Sequence, residues 1–185
     1  MRVVSITASA GPGAITVTDR PIPPVLDGHV RVRVSAAAVN PSDPFLWRSV
    51  GNGPLPFPVI PGLDAAGTID AVGAGVTRFA RGDRVMAVVN ARRPEGGAQA
   101  EFVVVPAASV VAIPDILSMA EASTLPMTGL TALEGLRLLD LAPGSTLAVT
   151  GGAGQLSSYL IPLAGARGIR VLADAAPADR ANHQR

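Results

Sequence analysis

The sequence predicts a mainly β domain followed by an α/β unit. Three observations carry this prediction. Short strands alternate with turns as far as residue 113, one of them alternates strictly between apolar and polar side chains, and after Pro114 the pattern changes to helices and strands around a glycine-rich turn.

The strands come first. Residues 2–7 and 15–19 read as short strands separated by Gly11-Pro12-Gly13, and Pro21-Ile22-Pro23-Pro24 is a rigid extended connector. In the strand over 30–39, Val30, Val32 and Val34 alternate with Arg31, Arg33 and Ser35. A period of two puts the valines on one face and the arginines on the other. Further strands are predicted over 65–72, 84–89, 99–105 and 110–113, with turns at Gly73-Ala74-Gly75 and Arg81-Gly82-Asp83. Regular spacing of short strands suggests a small barrel or sandwich, assigned to residues 1–115.

Residues 116–185 form the second region. A short helix is expected over 118–125, with Ser118 as N-cap and Glu121 completing a capping box. A second helix over 128–139 offers Leu130, Leu133, Leu136 and Leu138 as a buried stripe, with Glu134 facing away. Then come a strand over 146–150, the turn Gly151–Gly154, a helix over 155–167 and a strand over 170–173. Together they make one β-α-β unit. The tail from residue 175 has no apolar period and is expected to be loose.

Composition excludes several functions. Hydrophobic residues make up 48% of the 185 and charged ones 16%, so the chain has the apolar content for a core. A net charge of +1 without a basic run argues against nucleic acid as a partner. Every basic side chain apart from histidine is an arginine, so no lysine can act as base, Schiff-base former or phosphate anchor. The absence of cysteine excludes disulfides and thiolate metal sites, and His29 and His183 are too isolated to suggest a metal centre. No apolar run approaches the ~20 residues that span a bilayer, and a cytoplasmic protein without membrane partners is expected.

The glycine-rich turn is the first chemical motif. Gly152-x-Gly154-x-x-Ser157 follows a strand and opens a helix, the context in which such a turn binds a dinucleotide. Glycines let the backbone approach a pyrophosphate, and the helix N-terminus offers unpaired N–H groups. The candidate cofactor contacts are Gly151, Gly152, Ala153, Gly154, Gln155, Leu156 and Ser157. Taken alone, such a triplet is equally compatible with an ordinary strand-to-helix turn.

Other motifs accompany it in order: Asn40-Pro41-Ser42-Asp43, Pro61-Gly62-Leu63-Asp64-Ala65-Ala66-Gly67, Val72-Gly73-Ala74-Gly75-Val76, Phe79-Ala80-Arg81-Gly82-Asp83-Arg84-Val85, Gly97-Ala98-Gln99-Ala100-Glu101-Phe102 and Leu125-Pro126-Met127-Thr128-Gly129-Leu130-Thr131-Ala132. In this order and spacing, over about residues 1–176, the chain resembles the medium-chain dehydrogenase/reductase superfamily, in particular its zinc-free quinone oxidoreductase branch. The resemblance implies a GroES-like β-barrel followed by a Rossmann domain. It implies NADPH, with NADP favoured over NAD, reducing a small quinone, enone or similar activated double bond. Zinc-dependent relatives hold the metal with a cysteine and a histidine at positions that match Asn40 and Leu63 here, so no zinc is expected.

The resemblance also implies roles for individual residues. Asn40 contacts the nicotinamide ribose or the substrate carbonyl, unless it only forms an Asn-Pro turn. Thr128 and Thr131 sit where the family meets the nicotinamide end, unless Thr128 merely caps its helix. Asn40 and Thr131 are thus the candidate catalytic residues. Phe45 stands where a tyrosine is common and carries no proton-donor role; Phe45 and Trp47, with Leu46, wall an apolar substrate pocket or pack a barrel edge. Asp43 is read as a cap for residues 44–47, and Asp64 as structural.

Some residues depart from the family pattern. Gln155 and Ser157 replace glycines, and Pro162 interrupts a helix, at a cost of about 3 kcal/mol with an expected kink. Asp174 closes the second strand, where an acid binds a ribose diol and repels a 2′-phosphate, although by the family's spacing it falls one position early; Arg180 could meet such a phosphate. Only two strands of the Rossmann domain are supplied, so weak cofactor affinity, exposed apolar surface and self-association are expected. The alternatives are therefore an oxidoreductase, a truncated non-catalytic remnant, or an interaction module of the same family. A homo-oligomer is an open expectation.

Overall fold

The structure is a computed structural model that describes residues 1–7, 15–43, 46 and 58–176. The chain divides into two compact units, Met1–Pro126 and Met127–Arg185.

The first unit is built on β3 (His29–Ala37), which pairs with β4 (Asp64–Val72) on one side and β6 (Phe102–Pro106) on the other. β5 (Arg84–Val88) and β7 (Val110–Ala112) complete an antiparallel sheet in the order β6-β3-β4-β5-β7. The alternation in β3 is realised in three dimensions. Val30 lies between Val72 and Val105, and Val32 between Ile69 and Val103, all on the core side with Val85, Ala87 and Val110. On the opposite face the guanidinium groups of Arg31 and Arg33 lie 5.8 and 5.1 Å from the Phe102 ring centre and pair with Asp70 at 2.7 and 3.7 Å. Stacking on an aromatic face and pairing with a carboxylate suit the planar guanidinium and hold this strand's polar face in place.

β4 is buried on both faces at its start, which explains its run of small residues. Ala65 belongs to the main core, whereas Ala66 packs against Ile113 and Ala122. Ala122 lies in α1 (Met119–Ser123), which begins with the capping box of Ser118 and Glu121. A Cβ on Gly67 would run into the carbonyl of Arg33, beside the irregularity in the β3–β4 register.

β1 (Arg2–Ile6) and β2 (Ile15–Asp19) form an antiparallel pair. β1 is joined to the rest of the unit by bridges from Val3 to Ala100 and from Ile6 to Val59. This differs from the strand predicted over 99–105. Residues 99–101 serve two neighbours instead: Gln99 O accepts from Val4 N and Glu101 O from Val34 N, at 2.9 and 3.0 Å. Regular pairing with β3 therefore begins only at Phe102.

The second unit contains α2 (Pro126–Leu139), β8 (Thr146–Val149), α3 (Gln155–Ala166) and β9 (Arg170–Ala173). β8 and β9 are parallel, with Thr146 opposite Arg170 and Val149 opposite Ala173. The core gathers Leu136, Ala164 and Ile169, with Leu147, Leu160 and Val171 packed against them. The leucine stripe predicted on α2 is corrected: Leu136 and Ala132 are buried, but Leu130, Leu133 and Leu138 are exposed, Leu138 by 75%. At about 100° per residue, Leu138 lies about 200° around the helix from Leu136 and cannot share its face. α3 continues through Pro162, which sits on its exposed side. Among the described residues, no helix is long and apolar enough to cross a membrane.

Candidate functional site

The first candidate cluster lies where the chain leaves β3 and where it enters β4. Pro41 rules out continued sheet pairing and the backbone turns, with Asp43 N donating to Asn40 O at 3.0 Å. The Asp43 carboxylate then accepts two backbone N–H groups, from Asn40 at 2.7 Å and Gly62 at 3.0 Å. It fastens the two loops together. Gly62 can bend there because its φ is +103°, and a Cβ would approach Gln99 N to 2.9 Å. The cap predicted for Asp43 falls on residues 44–47, which apart from Leu46 lie outside the described residues.

Asn40 Nδ2 donates to Asp64 Oδ2 at 2.7 Å, and both residues are buried, Asn40 6% and Asp64 1% exposed. The Asp64 oxygen accepts from the amide nitrogen and so orients the amide. The Asn40 nitrogen faces Asp64 and the carbonyl oxygen lies on the opposite edge of the amide plane. Asp64, read from sequence as structural, is therefore the group that sets which edge Asn40 presents. Its position one residue past Leu63 gave no sign of this pairing.

Asn40 and Leu63 replace the sulfur and imidazole donors of the zinc-dependent pattern, and His29 directs Nδ1 to the Asp27 carbonyl at 2.8 Å. Among the described residues no group of three or more histidine, cysteine or acidic side chains could hold a metal.

Phe45 and Trp47 lie outside the described residues. Leu46 between them packs against Ile6 and Val59.

The second cluster is the turn between β8 and α3. Gly151 adopts φ +70°, and Gly154 N donates to Gly151 O at 2.8 Å to close the turn. Gly152 is required for a different reason. A Cβ there would come within 2.6 Å of Ala173 Cβ and 2.7 Å of the Asp174 carbonyl. Gly152 N donates to that carbonyl at 2.7 Å, so the end of β9 closes tightly on the turn. Gly154 is the N-cap of α3 and offers no side-chain cap, which leaves the first N–H groups of Gln155 and Leu156 for a ligand. The open helix end fits the pyrophosphate of a dinucleotide.

Two contacts here were not foreseen. Ser157, in place of the family's third glycine, is buried and its Oγ donates to Gly151 O at 2.9 Å. The substitution therefore adds a bond across the turn as well as fitting the space. The Asp174 carboxylate accepts from Gly151 N. Ala153, Gln155 and Leu156 are exposed along the same turn.

Thr128 and Thr131 lie on α2. Because the helix already begins at Pro126, Thr128 stands inside its first turn, which corrects the N-cap alternative; Pro126 takes the opening position that its fixed φ suits. Thr131 Oγ1 donates to Met127 O at 2.7 Å, which commits its proton to the helix and leaves the oxygen able to accept.

With this geometry established, comparison with known proteins is informative. Residues 26–115 match the alcohol dehydrogenase GroES-like domain family. The chloroplast envelope quinone oxidoreductase homolog of Arabidopsis thaliana is 35% identical over 152 residues, covering 78% of this chain and 46% of that protein. The chloroplastic NADPH-dependent alkenal/one oxidoreductase of the same plant is 34% identical over 150 residues, covering 77% and 38%. Among solved structures, an NAD-dependent alcohol dehydrogenase superposes with a TM-score of 0.88 at 33% identity, over 97% of this chain and 59% of that one. The chain thus spans less than half the length of these two plant relatives.

Proposed function

Since the chain belongs to the medium-chain dehydrogenase/reductase superfamily, we propose that it serves zinc-independent hydride transfer from a reduced nicotinamide dinucleotide to a quinone, an enone or a similar activated double bond. The single observation that carries this reading is the turn at Gly151–Ser157. There the α3 N-terminus has no side-chain cap of its own, which leaves its first N–H groups to meet an anion.

When bound, the nicotinamide supplies the hydride. The rest is positioning and hydrogen bonding by protein groups. The backbone N–H groups at the start of α3 hold the pyrophosphate. Asn40, oriented by Asp64, serves the nicotinamide ribose or the substrate carbonyl. Through its oxygen it accepts from a ribose hydroxyl; a substrate carbonyl would take the second hydrogen of its nitrogen. Thr128 and Thr131 serve the nicotinamide end, with Thr131 acting as an acceptor. Asn40 and Leu63 offer neither a thiolate nor an imidazole, and this supports chemistry without zinc. The NADPH-dependent plant relative supports NADPH, and the superposed NAD-dependent alcohol dehydrogenase supports NAD; Asp174 bears on that choice.

The test is quinone or enone reduction by the purified 185-residue chain with NADPH and with NADH, followed by loss of nicotinamide absorbance. Saturable turnover is expected, and Asn40→Ala should lower kcat/KM on the order of tenfold, the worth of one hydrogen bond of about 1–1.5 kcal/mol. Saturable dinucleotide binding with no turnover of either acceptor class would count against the proposed reaction while leaving the nucleotide site standing.

A further inference from the structure

We infer that Arg20, Arg92 and Arg93 form an anion-binding site on the first unit, suited to a phosphate or carboxylate group. The site is separate from the glycine turn, which belongs to the second unit.

The three side chains line one recess of about 150 Å³, together with Pro58, Ile60 and Gly96. They reach it from two places in the chain. Arg20 follows β2, and its backbone N–H is tied to Met1 O at 2.9 Å. Its Nη2 donates to Pro58 O at 3.4 Å, which leaves the other guanidinium N–H groups to meet a ligand. Arg92 and Arg93 stand in the loop after β5, and that loop is fixed at both ends. Arg92 N donates to Asn90 Oδ1 and Arg93 N to Asn90 O, each at 3.0 Å, and Gly96 N donates to Arg93 O at 2.9 Å. Gly96 lies at φ +81°, where a Cβ would come within 2.8 Å of Ile60 Cβ. Gly97 N donates to Ile60 O at 2.8 Å. The loop is therefore seated on Ile60, and both arginines extend from a fixed backbone.

Charge decides what the recess takes. No carboxylate lines it. Among the described residues, none of the three guanidinium groups has an acidic partner, whereas Arg2, Arg31, Arg33, Arg84 and Arg137 each have one. Asp19, next to Arg20, lies opposite Arg2 in the β1–β2 pair, and Glu95 lines a neighbouring recess that Arg93 also borders, without pairing with it. Segments 8–14 and 47–57 contain no aspartate or glutamate. The further arginines Arg48 and Arg180 lie outside the described residues. Three like charges on one concave surface repel one another, and an anion among them removes that repulsion. The planar fork of arginine matches the paired oxygens of phosphate and carboxylate. Ile60 stands two residues before Gly62, whose N–H holds Asp43, so the recess adjoins the loop that carries the Asn40 cluster. The anion is either free or the charged end of the substrate.

The experiment titrates the full chain with inorganic phosphate at constant ionic strength held with chloride, read by the amide signals of Arg92, Arg93 and Gly96 and by the arginine Nε–H signals. Saturable shifts are expected, and Arg92→Gln and Arg93→Gln should each weaken phosphate binding on the order of tenfold, the loss of one charge-assisted pair. Shifts confined to the start of α3, shifts equal in phosphate and chloride, or unchanged phosphate affinity in the double variant would overturn the inference. If one of these variants does not fold, Arg20→Gln is read in its place. A second arm, which rests on the proposed hydride transfer, compares an enone that carries a carboxylate on a saturated tail with its methyl ester. A kcat/KM roughly tenfold higher for the acid, lost in Arg93→Gln, assigns the site to the substrate's charged end. Equal kcat/KM for acid and ester, with phosphate binding intact, assigns it to a free anion. Reduction of neither compound would count against the proposed reaction, and phosphate binding would still decide the anion site.

Discussion

A buried side chain at the turn shows how one residue can replace a family feature with a different interaction. A glycine three residues past Gly154 would only make room, whereas Ser157 fills the space and bonds to the Gly151 carbonyl at 2.9 Å. Ser157→Ala should therefore destabilise the second unit by about 1 kcal/mol, read by chemical denaturation, because a half-buried carbonyl loses its side-chain donor. The glycines were legible from sequence because the turn conformation itself demands them. The bonds of Ser157 and Asp174 to Gly151 were not, because serine and aspartate have many local partners and only the folded turn selects one. The pairing of Asn40 with Asp64 was hidden for a similar reason: 24 residues separate the partners and no periodicity links them.

Among the elements, the strands with one buried face were the easiest to read. β3 follows its valine–arginine alternation, and α1 starts where Ser118 and Glu121 place it. α2 was harder, because a count of leucines does not fix the angle of a helical face, and Ala132 proved to be on the buried side. β1 makes a further prediction. Glu101 accepts from the backbone N–H of Arg2 and also from its guanidinium, both at 2.9 Å, and the backbone bond is the main reason its carboxyl is held below its ordinary value of 4.5. A lowered carboxyl contributes fully above its unfolded-state pKa and loses that contribution as pH falls through the folded one. Amide exchange at residues 2–6, measured relative to the unfolded peptide, should therefore accelerate in the acid range, and Glu101→Gln should remove that pH dependence.

At the scale of the whole molecule, the unit Met1–Pro126 carries its own core, in which the five-stranded sheet is covered by α1 on part of one face. The isolated fragment should fold cooperatively, giving one denaturation transition by circular dichroism and dispersed amide resonances; a gradual, non-cooperative loss of signal would count against an independent core. The change of architecture after Pro114 was plain in the sequence because the hydrophobic period changes there. The division after Pro126 was not, because whether α1 belongs to the sheet before it or the helix after it depends on the packing of Ala122 against Ala66 and Ile113, a contact between distant positions.

The bond from Arg2 to Glu101 joins residues 99 positions apart. In a chain made from its N-terminus, β1 emerges early, yet its partner at residues 99–101 does not exist until about a hundred residues have been added. β1 can meet β2 within a few residues, but two strands alone are marginally stable in water. Closing the long loop also carries an entropy cost that local pairs avoid. β1 is thus made well before its partner and docked late, and through that interval its apolar side chains, Val3 and Ile6 included, are groups that a ribosome-associated chaperone could hold.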